Sequence, residues 1–116
     1  MILIKRIYAA AEASDGYRVL VDRLWPRGIK KELAKVDLWA ANLAPSVPLR
    51  KWFNHEPGKF KDFKMRYLQE LKENKAVAGF LEKTEPYPIV TLLYGAKDEQ
   101  HNQAIVLQDF LQKNRK

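Results

Sequence analysis

The segment Asp22-Arg23-Leu24-Trp25-Pro26-Arg27-Gly28 brings an acid, two guanidinium groups and an indole together at one point in the chain. Arginines hold phosphate or carboxylate oxygens through charge-assisted, often bidentate hydrogen bonds. A carboxylate beside them is suited to proton transfer or to orienting a bound group. A second cluster, Lys97-Asp98-Glu99-Gln100-His101-Asn102, supplies another cation, a carboxylate and an imidazole. If both clusters open onto one crevice, the chemistry is that of an anion site. Arg23, Trp25, Arg27, Gly28, Lys97, Asp98 and Asn102 are then the candidate ligand contacts. Asp22 and His101 are the acid–base candidates, because an imidazole titrates near neutral pH.

Each residue also has a plainer reading. Asp22 suits a structural ion pair with Arg23 or a helix N-terminus. Trp25 suits the core as well as a lid, since tryptophan is highly buried on average. Arg27 stands between a proline and a glycine, so its backbone is constrained, and it is the stronger ligand candidate. Asp98 fits a helix cap better than a catalytic acid. His101 lies on a helix with an apolar opposite face, where a solvated histidine fits equally well.

These clusters need elements to position them. Met1–Tyr8 reads as a first strand, and Tyr17–Leu24 as a second whose nearly continuous apolar run indicates burial on both faces. Gly28–Lys35 reads as a basic loop or short helical turn. Val36–Leu43 fits a strand or a short helix, and its pattern does not choose. Ser46 reads as an N-cap with Pro48 in the first turn, followed by Leu49, Trp52 and Phe53 on one face. Phe60, Phe63, Tyr67 and Leu71 form an apolar stripe at helical spacing, which points inward as core. Val77, Phe80 and Leu81 mark another helix ending before Pro86. Ile89–Tyr94 reads as a central strand. Asp98 is expected to cap a final helix from Glu99 to about Lys113, with Ala104, Leu107 and Leu111 facing inward. The order predicts an α/β fold: a small single-domain sandwich over residues 1–116, with a partly parallel, Rossmann-like sheet of three to four strands flanked by helices. Ligands in such sheets sit beyond the carboxyl ends of the strands, where Asp22 and Lys97 fall.

Composition narrows the function. The net charge of +7 is concentrated: residues 23–66 hold eleven Lys/Arg and four Asp/Glu, while the rest of the chain holds ten of each. That asymmetry favours anionic partners, although lysines on helix faces also read as a solvated surface. No cysteine is present, which removes disulfides, thiolate nucleophiles and cysteine metal sites and fits a reducing cytoplasm. The start of the chain is charged too early for a signal peptide, and no apolar run approaches membrane-helix length. The five scattered glycines form neither a dinucleotide fingerprint nor a P-loop. Ser14 and Ser46 are the two serines, and neither suits a nucleophile. His55 and His101 are far apart, so no metal site and no cofactor is expected.

Asp15-Gly16-Tyr17-Arg18-Val19-Leu20-Val21-Asp22-Arg23-Leu24-Trp25-Pro26-Arg27-Gly28 resembles the signature of the YeaO-like proteins, in the domain of unknown function 488 family. The resemblance continues through Asp37-Leu38-Trp39, Leu43-Ala44-Pro45-Ser46, Leu49-Arg50-Lys51-Trp52-Phe53-Asn54-His55 and Thr91–Asn102. It implies a bacterial or archaeal cytoplasmic α/β domain and brings no assigned activity with it. It adds weight to Trp39, Pro45, Trp52 and His55, of which Trp39 and Trp52 read as core. In related members a cysteine and a basic residue follow the strand that here ends in Tyr94-Gly95-Ala96. This chain has no cysteine, so thiol chemistry does not carry over.

The functional expectation is a phosphate-bearing small molecule, a nucleotide or a sugar phosphate, bound in the crevice and open to acid–base catalysis. The alternative is a nucleic-acid-associated or protein-interaction module using the basic segment 23–66. No helix-turn-helix or aromatic RNA-binding strand motif supports that alternative.

Overall fold

The computed structural model describes residues 1–115. Four strands, β1 (Ile2–Arg6), β2 (Tyr17–Leu20), β3 (Leu38–Trp39) and β4 (Val90–Tyr94), form one sheet in the order β1-β4-β2-β3. Every pairing is parallel. Five helices accompany them: α1 (Lys31–Ala34), α2 (Val47–Phe53), α3 (Phe60–Glu73), α4 (Ala76–Thr84) and α5 (Gln103–Asn114). The expected α/β architecture is the observed one, with a sheet parallel throughout.

β4 is central because its residues are apolar or satisfied on both faces, and all five are buried. It pairs with β1 from Ile2↔Val90 to Arg6↔Tyr94 and with β2 from Tyr17↔Val90 to Leu20↔Leu93. Alternation along the strands divides the core. Val19, Val21, Val90, Leu92 and Tyr94 face the larger cluster, which α2, α3, α4 and α5 cover with Leu49, Phe63, Phe80 and Leu107. Leu20, Leu93 and Ile7 face the other way into a smaller cluster with Ala34 of α1 and with Trp25, Ile29 and Val36.

That second face also carries a buried polar group. Arg18 and Asp15 are 5% and 6% exposed, and their side chains pair at 2.5 Å. Lys5 donates to Asp15 at 3.1 Å, and the Arg18 guanidinium also donates to the carbonyls of Ala34 and Lys35. The Thr91 hydroxyl donates to the Asp15 carbonyl at 2.6 Å. An ion pair out of water survives only when its remaining donors and acceptors are satisfied, and these are. Burial raises the Asp15 carboxyl, but the Glu12 amide, Lys5 and Arg18 outweigh it and hold it below the ordinary carboxylate value.

The helices follow their apolar spacing. Ser46 caps α2 by accepting from the Leu49 amide at 3.3 Å, and Glu70 of α3 accepts from both the Ser46 amide and its hydroxyl. Phe63, Tyr67 and Leu71 of the predicted stripe are buried, with Phe60 packed at the margin. The Tyr67 hydroxyl, fully enclosed, donates to the Leu43 carbonyl at 2.6 Å.

Four expectations need correction. The second strand stops at Leu20, although the Val21 amide still donates to the Leu93 carbonyl. Val36–Leu43 is both alternatives in turn: a two-residue edge strand, then a 3-10 turn at Ala41–Leu43. The final helix begins at Gln103, four residues later than Glu99, and its N-cap is Asn102, which accepts from the Ile105 amide at 3.1 Å. Trp39 is not core; at 40% exposed it lies on the edge strand, its indole N–H donating to the Asp22 carbonyl at 2.8 Å. Trp52 is half-buried, with the Arg66 guanidinium 4.1 Å and the Lys59 ammonium 5.2 Å from its ring centroid.

Candidate functional site

Because all four strands run the same way, their carboxyl ends emerge along one edge of the sheet. β1 delivers Tyr8, β2 delivers Asp22 and the segment to Arg27, and β4 delivers Gly95, Ala96 and Lys97. These residues line one cleft of about 730 Å³, joined by Arg50, Phe53 and His55 from the end of α2 and by Asn102 and Gln103 from the start of α5. A space of that size is in the range of small-molecule sites.

Asp22 lies at the junction of the elements. Its Oδ2 accepts from the Gly95 amide at 2.9 Å and its Oδ1 from the Gln103 side-chain amide at 2.6 Å. Burial pushes its carboxyl above the ordinary value, against the opposing pull of the Gly95 amide, Gln103, Arg50 and His55. The ion pair with Arg23 suggested by adjacency is not formed. Arg23 instead turns to the backbone, donating to the carbonyls of Pro45 at 3.0 Å and Ala44 at 3.1 Å. It ties the exit of β2 to the entrance of α2, and it also lines the cleft.

Arg27, Arg50 and Lys97 are different. All three line the cleft, and among the described residues none has an ion-pair or side-chain hydrogen-bond partner. Arg27 is placed by its own backbone: its carbonyl accepts from the Tyr8 hydroxyl at 3.0 Å, and Gly28 turns the chain next to it with φ 75°. Gly28 does not line the cleft itself. Trp25 does, half-buried, with its indole N–H donating to the Ile29 carbonyl at 2.7 Å and its ring edge-on to Trp39.

The sequence offers no local signal for Arg50 or Tyr8 as cleft residues, whereas His55 reads from sequence as a helix-end residue able to reach the crevice, and it does reach it. His55 reaches the cleft because α2 ends in two consecutive left-handed residues, Asn54 at φ 48° and His55 at φ 54°. Such backbone is uncommon outside glycine and gathers at functional sites. A motif carrying Arg50 and His55 was visible as Leu49–His55, but its periodicity pointed only to the apolar face.

The second cluster divides. Lys97, Asp98 and Asn102 line the cleft, whereas His101 does not. Its ring lies edge-on to Phe60 of α3 at 5.3 Å, and its Nδ1 is 3.0 Å from Asp98 Oδ2. Nor do the amides after Asp98 form an anion cradle, because Asp98 Oδ1 accepts from those of Gln100 and His101. The Gln100 amide, then the His101 side chain and amide, hold the Asp98 carboxyl below its ordinary value. Asn102 is spent twice, as the α5 cap and as a donor to the Asp98 carbonyl at 2.9 Å. No group of three or more metal-ligating side chains occurs among the described residues.

A family model described as the inactive DUF488-N3 subclade matches residues 1–116. The chain belongs to that subclade. Over 110 residues it is 46% identical to the uncharacterized protein YeaO of Escherichia coli K12, covering 95% of this chain and 96% of YeaO. It is 37% identical, over 95% of its length and 92% of theirs, to the uncharacterized proteins Mb3100c of Mycobacterium bovis and Rv3073c of Mycobacterium tuberculosis H37Rv. No solved structure matches it. In this member of the subclade, β4 runs out in Gly95-Ala96-Lys97 and brings no thiol or hydroxyl side chain to the cleft. No helix among the described residues is long and apolar enough to cross a membrane.

Proposed function

We propose that the chain is a cytoplasmic binding protein whose strand-end cleft takes a phosphate-bearing small molecule, a nucleotide or a sugar phosphate. One observation carries the reading: Arg27, Arg50 and Lys97 border a single cleft beside Asp22 and Asp98, and among the described residues none of the three is held in an ion pair. Exposed cations lining one cleft give it a positive potential, and a phosphate there accepts several charge-assisted hydrogen bonds. Arg23 and Asn102 act through the backbone they anchor. His101 is a positioning residue for the turn that carries Lys97 and Asp98.

Binding without turnover is supported by the description of the subclade as inactive. Acid–base work by Asp22 is a second reading, favoured by the upward push on its carboxyl. A nucleic-acid role draws less support. The basic residues of 23–66 are dispersed over α1, α2, α3 and the segments between them, and Lys59 and Arg66 are committed to Trp52.

Thermal unfolding with and without ligand tests the reading. Inorganic phosphate and a panel of nucleotides and sugar phosphates are added to wild type and to Arg27→Ala. A ligand that binds only the folded chain raises the midpoint of wild type. Arg27 is exposed, so the variant without ligand keeps the wild-type midpoint and loses the ligand response. An undiminished response in Arg27→Ala rejects the assignment.

A further inference from the structure

We infer that the ligand of this cleft carries a planar aromatic base as well as a phosphate, so that it is a nucleotide and not a sugar phosphate, with Tyr8 as the platform for the base. The inference rests on the anion-binding reading and deepens it.

Tyr8 lines the cleft and is 46% exposed, although it directly follows the buried Ile7. It is nevertheless held in place. Its hydroxyl donates to the Arg27 carbonyl at 3.0 Å. The Arg6 guanidinium lies 5.0 Å from the ring centroid, and Arg6 Nε donates to the Ala96 carbonyl at 3.0 Å. The ring is thus anchored to both segments that carry unpaired cleft cations, the one at Arg27 and the one before Lys97. A free aromatic side chain folds onto apolar surface, whereas this one lines the cleft with its ring exposed and its hydroxyl held. Flat π-systems stack on such a ring, and the Arg6 guanidinium over it helps hold the ring in place.

The rest of the cleft agrees with a base, pentose and phosphate in sequence. A volume of about 730 Å³ leaves room well beyond a phosphate group. Each Asp22 oxygen accepts one hydrogen bond within the chain, and a carboxylate has acceptor capacity for more, so pentose hydroxyls find an acceptor on the cleft floor.

Isothermal titration separates this inference from the reading beneath it. Adenosine monophosphate, ribose 5-phosphate and inorganic phosphate are titrated into wild type, Tyr8→Ala and Tyr8→Phe. Stacking predicts that wild type binds the nucleotide about ten-fold or more tightly than ribose 5-phosphate. Tyr8→Ala loses that preference, read as the ratio of the two affinities so that any loss of the Arg27 anchor common to both ligands cancels, and Tyr8→Phe, which loses the same hydroxyl and keeps the ring, retains it. Equal affinity of wild type for nucleotide and ribose 5-phosphate, or a preference surviving in Tyr8→Ala, overturns the inference and leaves the anion site standing. If none of the three compounds binds, the anion reading fails and the inference falls with it.

Discussion

The Gly95 amide donates to Asp22 Oδ2 at 2.9 Å, and a Cβ added to Gly95 would stand 2.7 Å from that same oxygen. The two central strands therefore meet at their ends through a contact that admits no side chain. Asp22 cannot simply swing aside, because Gln103 holds its other oxygen.

Gly95→Ala should consequently cost stability through Asp22. Forcing a methyl into filled space costs about 1–3 kcal/mol. In an Asp22→Ala background the obstruction is gone and the same substitution should cost much less. Urea unfolding of the four proteins of this cycle measures the coupling. Additive losses would show that the crowding lies elsewhere.

Two aspartates should shape the pH dependence of stability with opposite signs. Asp22 has a raised folded value, so between its ordinary value of 3.8 and that value the folded chain binds the extra proton. Its contribution is therefore lost as pH rises through this window, and Asp22→Asn should remove the loss while keeping an acceptor for the Gly95 amide. Asp15 has a lowered folded value, so its contribution is complete above the ordinary 3.8 and disappears as pH falls below it. At neutral pH, Asp15→Ala should cost about 3–5 kcal/mol, because it strands the buried Arg18 charge. Urea unfolding at stepped pH of wild type, Asp22→Asn and Asp15→Ala distinguishes the two slopes, and a shared sign would contradict one of the two assignments.

Asn102, not Asp98, should govern the last helix. Its cap on the Ile105 amide predicts that Asn102→Ala loses about 0.5–2 kcal/mol of stability. Asp98→Ala should lose less, since Asp98 organises only the turn before the helix. Denaturation of both variants checks the order, and a larger loss at Asp98 would restore it as the cap.

What the sequence conveyed was whatever rests on local periodicity. Phe63, Tyr67 and Leu71 announce α3 by spacing alone, and Ser46 with Pro48 fixes the start of α2. Ile89–Tyr94 could be read as central because no residue in it seeks water. Leu38–Trp39 was not legible, because two residues on a sheet edge have no period, and only pairing with Val19 and Leu20 makes them a strand. Asp98 and Asn102 are both good caps four residues apart. The register of Ala104, Leu107 and Leu111 against the sheet chooses between them, and that is a tertiary fact.

The cleft shows the same division. Asp22, Arg27 and Lys97 could be located because strand ends in a parallel sheet converge. The commitment of Arg23 to two backbone carbonyls depends on where residues 44 and 45 return in space. Arg50 and Tyr8 are separated from the strand-end motif by long stretches of chain, and only the crossover through α2 and the exit of β1 bring them in.

Amide-resolved NMR during titration with inorganic phosphate tests the central claim most directly. Shift changes should concentrate at Arg23–Gly28, Arg50–His55 and Gly95–Asn102, and should vanish in an Arg27→Ala/Arg50→Ala variant that remains folded. No response, or a response spread over Lys61, Lys64 and Arg66 on the exposed face of α3, would contradict a cationic site at the ends of the strands.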